Sequence, residues 1–376
     1  MLTPESRLAD FPVLRGLTYL NTAAEGIPPG CVGDALEQYY RDKLLGMDGR
    51  QRHQQHWQSL RERAGRLFGL SADEIGICSC ASEAFNLAAL ALHAAEGDEV
   101  VINDLDFPAG ATPWLQSRYP ASARLWRSRE GALRTEDLVG LLNARTRLVV
   151  LSLVSFFNGY TVDLPAVIDA VRRHSSARIA VDVTQAAGRM PLDLSGVDLV
   201  VSSTHKWILG THGGGLVGVP SHRAREWTVP AGGWFHLENP FDEHRFDRAV
   251  SKPGAAGFSV GMPNYPAVYA VNAALGYILN LGVAAIETHA RPLVQSCLEE
   301  LRKLPVEMLT PDEPGSMAGI LAFRHQRADQ IAAHLHERDI HIMCHAGRLR
   351  VAVHGYNTSQ DVEKFLSNLQ EALNHA

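Results

Sequence analysis

Two short segments decide the fold, because each is an apolar run that ends in residues able to do chemistry. The first reads "AVDVTQAAG" (residues 180–188), and the second reads "VSSTHKW" (residues 201–207). Asp182 ends the apolar part of the first segment, and Lys206 follows the second, 24 residues later. In an open parallel sheet the carboxyl ends of neighbouring strands meet where ligands bind. We therefore expect Asp182 and Lys206 to converge on one small molecule.

Lysine is a rare residue in this chain. Only five of its 35 basic residues (Lys and Arg) are lysines, so its apolar setting indicates a residue selected for its amine. A carboxylate that keeps a ring nitrogen protonated and an amine that bonds an aldehyde together suit pyridoxal 5'-phosphate. Taken singly, Asp182 is also compatible with a helix cap and Lys206 with a solvated side chain.

A phosphate site is predicted at residues 77–92, "ICSCASEAFNLAALAL". There a short strand runs into small residues and then into a helix, whose first backbone N–H groups can bind an anion. Ala81 and Ser82 lie at this helix start, and Ser203 and His205 would close round the phosphate from the other side. A simple serine cap of the helix is the alternative interpretation.

The hydrophobic pattern predicts an α/β fold with two layers of different size. Near-continuous apolar strands separated by helices, from about residue 75 to 219, indicate a mostly parallel sheet covered on both faces. Long helices follow at about 265–280 and 283–304, and the tail alternates between strands and helices once more. We predict an N-terminal arm at 1–20, a large domain at 21–265, and a connecting helix with a small C-terminal domain at 266–376.

Composition describes a folded chain and argues against several classes of partner. Of the 376 residues, 46% are hydrophobic and 20% charged, and a net charge of −6 gives no reason to expect nucleic acid or an anionic membrane. The apolar run "LVVLSLVSFF" is too short to span a bilayer, and the acidic start does not resemble a signal peptide. Five cysteines, an odd number, favour reduced thiols. We expect a cytoplasmic protein.

The order of these segments resembles the class-V branch of the aspartate-aminotransferase fold, whose members include cysteine desulfurases and isopenicillin N epimerase-like proteins. The matching stretches run from residue 19 to 358: "YLNTAAEGIPP", "SCASEAFNLAA", "DLDFPAGATPW", "AVDVTQAAG", "SSTHKW", "GMPNYPA" and "GRLRVAVHGYNT". The resemblance implies a fold-type I pyridoxal-phosphate enzyme, with a seven-stranded, mostly parallel sheet in the large domain and a smaller C-terminal α/β domain. It also implies a homodimer with shared active sites.

The resemblance assigns a role to each matching position. Lys206 would bind the cofactor aldehyde and later move a proton at the substrate Cα, Asp182 would pair with the ring nitrogen, and Gln185 would hydrogen-bond the ring's 3-oxygen. Phe107 would stack on the cofactor, and Arg350 would clamp the substrate carboxylate, for which a guanidinium fork is suited.

The other assigned positions lie around the phosphate, the 3-oxygen and the entrance. They are Ala81 (through its backbone), Ser82, Ser203 and His205 for the phosphate; Met262 for the phosphate of the neighbouring subunit; Asn158 near the 3-oxygen; and Asn21 and Ala23 in a segment that folds over the site. Met262 replaces a threonine of the relatives, and Asn158 fits only if its loop shifts, since Phe156 occupies the aligned position.

Two departures from the desulfurases shape the predicted reaction. Phe107 stands where they carry a histidine that moves protons, and the segment 340–350 leaves no room for their mobile cysteine loop. We interpret Cys344 as a buried thiol and do not expect persulfide formation. The prediction is Cα deprotonation followed by β-elimination, a carbon–sulfur lyase acting on a cysteine-type substrate in specialised metabolism. Transamination or epimerisation by a class-V enzyme, and a non-catalytic scaffold homologue, are the alternatives.

Two further segments are candidates for recognition. Residues 231–246 form an aromatic and charged loop, for which a flexible surface loop is the alternative. Arg52, His53 and His56 share a helix face that we interpret as solvated, and no pair of the 17 histidines has the spacing of a zinc ligand set.

Overall fold

Thirteen strands and eleven α-helices occur in the computed structural model, which describes residues 2–313, 315 and 317–374. The strands are β1 (Thr18–Tyr19), β2 (Ile75–Cys78), β3 (Glu99–Asn103), β4 (Ser122–Trp126), β5 (Thr146–Ser152), β6 (Arg178–Asp182), β7 (Leu199–Ser203), β8 (Gly215–Gly218), β9 (Glu307–Met308), β10 (Ile320–Arg324), β11 (Ile340–His341), β12 (Met343–His345) and β13 (Arg348–Ala352). The helices are α1 (Pro4–Asp10), α2 (Gly30–Lys43), α3 (Arg50–Phe68), α4 (Ala81–Ala91), α5 (Pro108–Ala111), α6 (Thr135–Val139), α7 (Leu164–His174), α8 (Tyr265–Leu281), α9 (Val283–Leu301), α10 (Ala328–His336) and α11 (Ser359–Asn374).

The large sheet has seven strands in the order β2-β8-β7-β6-β5-β3-β4. Strands β3 to β7 pair in parallel, and only β8 runs against its neighbours. Successive residues of β5 belong to different cores, Val149 and Leu151 to one and Leu148 and Val150 to the other. Both faces of the sheet are therefore covered, which is why its strands read as continuous apolar runs. The predicted fold class is confirmed.

The crossover helix α7 shows how local sequence sets an element's ends. Asp163 precedes the helix, and its side chain accepts a hydrogen bond from the Ala166 N–H. A proline follows in the first turn, where its missing N–H costs no helical hydrogen bond, and Arg172, Arg173 and His174 fill the last turn. The chain then enters β6, whose final residue is Asp182. In the sheet, β6 pairs with β5 and β7 so that Asp182 lies opposite Ser152 and Val201 at the carboxyl edge.

A second, antiparallel sheet of four strands lies in the C-terminal part, in the order β12-β13-β10-β9. Its apolar residues pack with α9, α10 and α11 in a separate core. The N-terminal segment joins this layer, since β1 pairs in parallel with β11 and the Arg7 guanidinium lies 3.1 Å from the Asp361 carboxylate. These contacts agree with an arm that packs on a small C-terminal layer, while the domain boundaries themselves stay a prediction.

The differences from the predicted elements have local causes. The helix expected from Ala109 is the short α5 followed by a 3₁₀ turn over Thr112–Leu115, because Pro113 cannot donate to a continuing helix. No single helix in the described parts of the chain is long and apolar enough to cross a membrane. Helices α8 and α9 meet that test only together, and they are bent by 74° at their junction.

Candidate active site

A cavity of about 600 Å³ opens beyond the carboxyl ends of β5, β6 and β7. A cavity of this volume is ordinary for a small-molecule site. The predicted site residues that line it are Ala23, Ala81, Ser82, Phe107, Asp182, Gln185, Ser203, His205, Lys206 and Arg350. Ten of the 20 residues that line this cavity were therefore predicted from the sequence, and the roles given to them stay predictions.

Asp182 ends β6 and is buried at the floor of the cavity. Its Oδ1 accepts a hydrogen bond of 2.8 Å from the Thr184 backbone N–H. Burial raises the pKa of this carboxyl, whereas the Thr184 hydrogen bonds and the nearby Lys206 charge oppose the increase. A carboxylate held in this way is suited to a cationic ring N–H, so the site fits the ring of pyridoxal phosphate.

Lys206 follows β7, and its Nζ lies 5.1 Å from the centroid of the Phe107 ring. Burial lowers the pKa of the Lys206 amine to about 8; the charge of Asp182 opposes this change and that of Arg350 adds to it. The amine is therefore much more often neutral near physiological pH than an exposed lysine. This is the state required for attack on an aldehyde or for accepting a proton.

The N-terminal segment packs directly on the turn that carries the lysine. The Gly26 N–H donates to the His205 carbonyl at 2.8 Å. A Cβ atom on Gly26 would lie 2.0 Å from the Lys206 carbonyl oxygen, so this approach requires glycine. Ala23 lines the cavity, and the closing of this segment over the site stays a prediction.

Gln185 is held in one orientation by hydrogen bonds at both ends of its amide. Its Nε2 donates to the Ala23 carbonyl at 3.1 Å, and its Oε1 accepts from the Trp207 indole N–H at 2.6 Å. A primary amide nitrogen has two hydrogens, so one N–H is left for a ligand oxygen. The arrangement fits the predicted contact with the 3-oxygen of the cofactor ring.

The start of α4 forms the phosphate end of the cavity. Cys80, the residue before the helix, provides no side-chain cap, so the first N–H groups at Ala81 and Ser82 remain for an anion. His205 lies opposite. Burial, together with the neighbouring Lys206 and His212, lowers the pKa of His205 to about 4, so its imidazole is neutral at pH 7. Donor groups of this kind fit a phosphate.

A second imidazole and a carboxylate stand beside His205. The ring of His212 stacks on that of His205 with centroids 4.3 Å apart, and its Nε2 lies 3.3 Å from the Glu25 carboxylate. The ligand atoms of the three residues all lie within 4.8 Å of one another, a proximity that the sequence spacing did not indicate. His205 is the member of this cluster that is predicted to hold the phosphate. The stacking of His212 on His205 therefore helps to orient the imidazole that would bind it.

Phe107 follows β3 and presents an aromatic ring to the cavity. The ring is 43% exposed and meets the ring of Phe156 edge-on, with centroids 5.1 Å apart. The preceding residue, Asp106, is half-buried, and its Oδ1 accepts a hydrogen bond of 2.6 Å from the Ser152 N–H at the end of β5. This bond ties the β3 turn to the neighbouring strand and so positions the Phe107 ring.

Arg350 enters the cavity from β13 of the small sheet, with 4% of its surface exposed. One guanidinium nitrogen donates to the Phe156 carbonyl at 2.8 Å, and Nε has no hydrogen-bond partner within the described ranges. Burial and, to a smaller extent, the charge of the neighbouring Arg348 together lower the pKa of Arg350 to about 10. Arg348 also lines the cavity; sequence reasoning missed it, although its i, i+2 spacing from Arg350 was the available signal.

Three predicted site residues do not line this cavity in the described structure. Asn158 lies outside the cavity lining, because its amide donates to the Gly131 carbonyl at 2.7 Å and accepts from the Tyr160 N–H at 3.1 Å. Asn21 also lies outside it, with a buried Oδ1 that has no partner among the described residues. Met262 is 51% exposed beside a separate cavity of about 190 Å³, and its contact with a neighbouring subunit stays a prediction.

Cys344 is half-buried in β12 and lines the cavity, whereas a buried thiol was expected. Its Sγ donates to the Asp329 carboxylate at 3.4 Å, and burial and Asp329 together raise the pKa of the thiol to about 11. β12 and β13 are joined by a turn at Ala346 and Gly347, both with positive φ. This turn is short, in agreement with the predicted lack of a mobile loop.

The face of α3 interpreted as solvated is instead packed. His53 is buried, and its Nδ1 lies 2.9 Å from the Tyr269 hydroxyl, while the His56 ring stacks on Tyr269 at 3.6 Å. The Tyr269 hydroxyl donates in turn to Asp42. The solvated interpretation was wrong for both histidines because α8 covers them. The loop at 231–246 exposes Phe241 and Phe246, and its recognition role stays a prediction.

The chain matches known proteins over nearly its whole length. A model of the family described as Aminotransferase class-V matches residues 18–365. An uncharacterized aminotransferase of Bacillus subtilis (strain 168), YcbU, is 27% identical over 368 residues, with 97% of each chain covered. A cysteine desulfurase of Salmonella gallinarum is 28% identical over 337 residues, which cover 84% of this chain and 81% of the relative.

Two solved structures share the fold at lower sequence identity. The apo cysteine desulfurase from Thermococcus onnurineus NA1 has a TM-score of 0.90 and 22% identity, with 100% of this chain and 99% of that chain covered. The cystine C-S lyase C-DES, in complex with its reaction product cysteine persulfide, has a TM-score of 0.86 and 23% identity, with 96% and 98% covered. Both likenesses support the fold-type I architecture.

Proposed function

This chain belongs to the class-V aminotransferase family and is a pyridoxal-phosphate-dependent enzyme, and we propose that it is a carbon–sulfur lyase acting on a cysteine-type amino acid. One observation carries the proposal. The cavity joins Lys206, Asp182 and Arg350 to an aromatic ring without a titratable group, Phe107, and the nearby Cys344 thiol is kept protonated.

The residues present can hold the cofactor. Asp182 would hold the ring nitrogen, Gln185 the ring oxygen, and the start of α4 with Ser203 and His205 the phosphate. When bound, pyridoxal phosphate supplies an aldehyde for the substrate amine and a ring that withdraws electrons from Cα. The protein's task is then to orient the substrate and to move one proton.

Lys206 and Arg350 perform those two tasks. Arg350 has a free Nε and further donors that can bind the substrate α-carboxylate, which fixes the position of Cα. Lys206, with a pKa of about 8, accepts the proton from Cα at its Nζ. In β-elimination the Cβ–S bond then breaks, and its electron pair leaves with the sulfur. The sulfur takes up a proton and leaves as the thiol, and water hydrolyses the remaining unsaturated amino acid to pyruvate and ammonia.

Formation of a persulfide on the enzyme itself would need a different group in this cavity. The desulfurase route requires an enzyme thiolate that attacks the substrate sulfur, and a thiol whose pKa is about 11 is almost fully protonated at neutral pH. Cys344 also donates to the Asp329 carboxylate, a contact that favours the protonated form. Elimination needs no enzyme thiol, so it is the reaction that these residues support better.

Transamination is the second candidate, and the similarity to the Bacillus subtilis relative described as an aminotransferase favours it. It uses the same lysine, aspartate and arginine but returns the proton to a different carbon. The two reactions therefore have to be distinguished by their products.

The deciding experiment supplies purified holoenzyme with L-cysteine, with S-substituted cysteines, and with L-alanine plus a 2-oxo acid. We expect pyruvate, ammonia and thiol in equal amounts from an S-substituted cysteine, no product in Lys206→Ala, and near wild-type rates in Cys344→Ser. Alanine together with a persulfide on Cys344 would instead identify a desulfurase. A new oxo acid that forms only when a second oxo acid is present would identify a transaminase.

We further propose that the enzyme works as a homodimer. Met262 and Asn264 border the 190 Å³ cavity on the outside of the chain, next to the start of α4 at Ser79 and Glu83. A neighbouring subunit at this face would bring Met262 towards its cofactor phosphate. Sedimentation equilibrium should give twice the chain mass of 41.1 kDa, and a monomer with full activity would contradict the shared site.

A further inference from the structure

Two arginine side chains enter the active-site cavity from one strand. Arg348 and Arg350 stand two residues apart on β13, so their side chains leave the same face of the sheet. Both line the cavity, and only 7% and 4% of their surfaces are exposed. If Arg350 binds the substrate α-carboxylate, the Arg348 guanidinium still has no assigned ligand.

The charges around Arg348 do not compensate its own. Its cross-strand neighbours are Arg324 on β10 and His345 on β12, and the next residue on its face is Arg350. Asp182 is the one acid among the described residues that line the cavity, and Lys206 lies beside it. Over residues 2–313, 315 and 317–374, neither Arg348 nor Arg350 forms an ion pair. A buried cation of this kind is unfavourable unless an anion joins it.

Contacts on one side hold the Arg348 guanidinium in place. A terminal nitrogen donates to the Phe157 carbonyl, and the guanidinium carbon lies 4.4 Å from the centroid of the Phe157 ring. The Phe156 ring lies at 5.6 Å. Because a guanidinium has five N–H donors in one plane, these contacts leave donors on its other edge. The group is thus positioned in advance for a planar, bidentate partner.

We propose that Arg348 binds a carboxylate at the end of the substrate's side chain, so that the preferred substrates are acidic amino acids or cysteines with a carboxylate on the S-substituent. The inference rests on the proposed function in one respect, that Arg350 holds the α-carboxylate of an amino acid. Arg348 then acts as a specificity residue, which recognises the end of the molecule remote from Cα.

The test compares isosteric acids and amides: L-glutamate with L-glutamine, and S-carboxymethyl-L-cysteine with S-carbamoylmethyl-L-cysteine. The change in cofactor absorbance on titration gives a Kd for each, whatever reaction follows. In wild-type holoenzyme we expect each acid to bind about tenfold to a hundredfold more tightly than its amide, as for a hydrogen bond to a charged group. In Arg348→Gln the acid-to-amide ratio should fall to near one, and Arg348→Lys should restore part of it.

A purely structural role for Arg348 predicts a different pattern. If the arginine only anchors the Phe157 turn, Arg348→Gln weakens acid and amide equally and the wild-type ratio survives, which would overturn the inference. Equal binding of acid and amide by the wild-type enzyme would overturn the inference as well. This comparison uses only the wild-type protein and so does not depend on the folding of a variant. Failure of the shared premise, that the enzyme binds an α-amino acid through Arg350, looks different, since no α-amino acid would then change the cofactor spectrum. A transaminase or desulfurase product refutes the proposed lyase reaction alone and leaves the acid-to-amide comparison valid.

Discussion

The depressed pKa of Lys206 implies that the active site destabilises the cofactor-free fold. Burial lowers this pKa from 10.5 to about 8, so the folded protein holds the lysine proton less tightly than the unfolded chain does. At pH 7 the difference corresponds to about 3 kcal/mol of destabilisation. The pKa of about 8 already includes the attraction of Lys206 to Asp182, so the uncharged Lys206→Met should increase the free energy of unfolding by up to about 3 kcal/mol.

The sign of the pH dependence distinguishes this effect from simple packing. Between pH 8 and pH 10.5 the unfolded chain binds more protons at Lys206 than the folded protein, so wild-type stability rises with pH through this window. The advantage of Lys206→Met should therefore be largest at pH 7 and should shrink towards pH 10.5. Urea unfolding of the cofactor-free proteins, followed by far-ultraviolet circular dichroism, measures it at each pH.

A surface lysine provides the matched control. Lys364 is exposed on α11, so Lys364→Met should change stability by less than about 0.5 kcal/mol at either pH. If Lys206→Met is no more stable than wild type at pH 7, or if its advantage does not depend on pH, the depressed amine pKa is wrong.

Three other perturbations test elements that position the site. Arg189→Met should cost about 3 kcal/mol of stability in urea unfolding, because it leaves the buried Glu287 carboxylate without its buried ion-pair partner; an unchanged midpoint would refute this. Burial raises the pKa of Asp106 to about 7, so the stabilising effect of this carboxyl is complete below pH 4 and is lost as pH rises to 7. Asp106→Asn should flatten that part of the stability profile, and an identical slope would contradict the assignment. Gly26→Ala places a Cβ against the Lys206 carbonyl and should weaken cofactor affinity at least tenfold, as measured by equilibrium dialysis; unchanged affinity would show that the contact does not position the lysine.

The parts of the site that sequence reasoning found are those that strand ends determine. Asp182 and Lys206 follow β6 and β7, which are adjacent and parallel, so their sequence positions alone place them at one edge. Arg350 comes from the other sheet, and the sequence located it through the family resemblance. Its placement in the same cavity depends on how the two sheets pack, which no local pattern encodes.

The parts that sequence reasoning missed depend on contacts between distant segments. From the sequence alone, Arg348 is a surface arginine of an alternating strand. In the structure the Phe156–Phe157 turn contacts its guanidinium. From the sequence, His53 is predicted to be solvated. In the structure it contacts Tyr269 of α8, which is 216 residues away in the sequence. Asn158 was predicted to lie near the cofactor's 3-oxygen if its loop shifts, but its amide already bonds the Gly131 carbonyl, 27 residues away, and the Tyr160 N–H. In each case the environment of the side chain is set by a partner that is remote in sequence or by a backbone group that takes its hydrogen bonds.

The most direct test of the account's central claim is to map the lysine that carries the cofactor. Borohydride reduction of the holoenzyme fixes the cofactor to its lysine, and protease digestion with mass spectrometry locates the modified residue. Because the chain has only five lysines, the peptides are easily told apart. The account predicts one modified peptide, containing Lys206. Modification of Lys252 or another lysine, or no stable modification of cofactor-loaded protein, would contradict it.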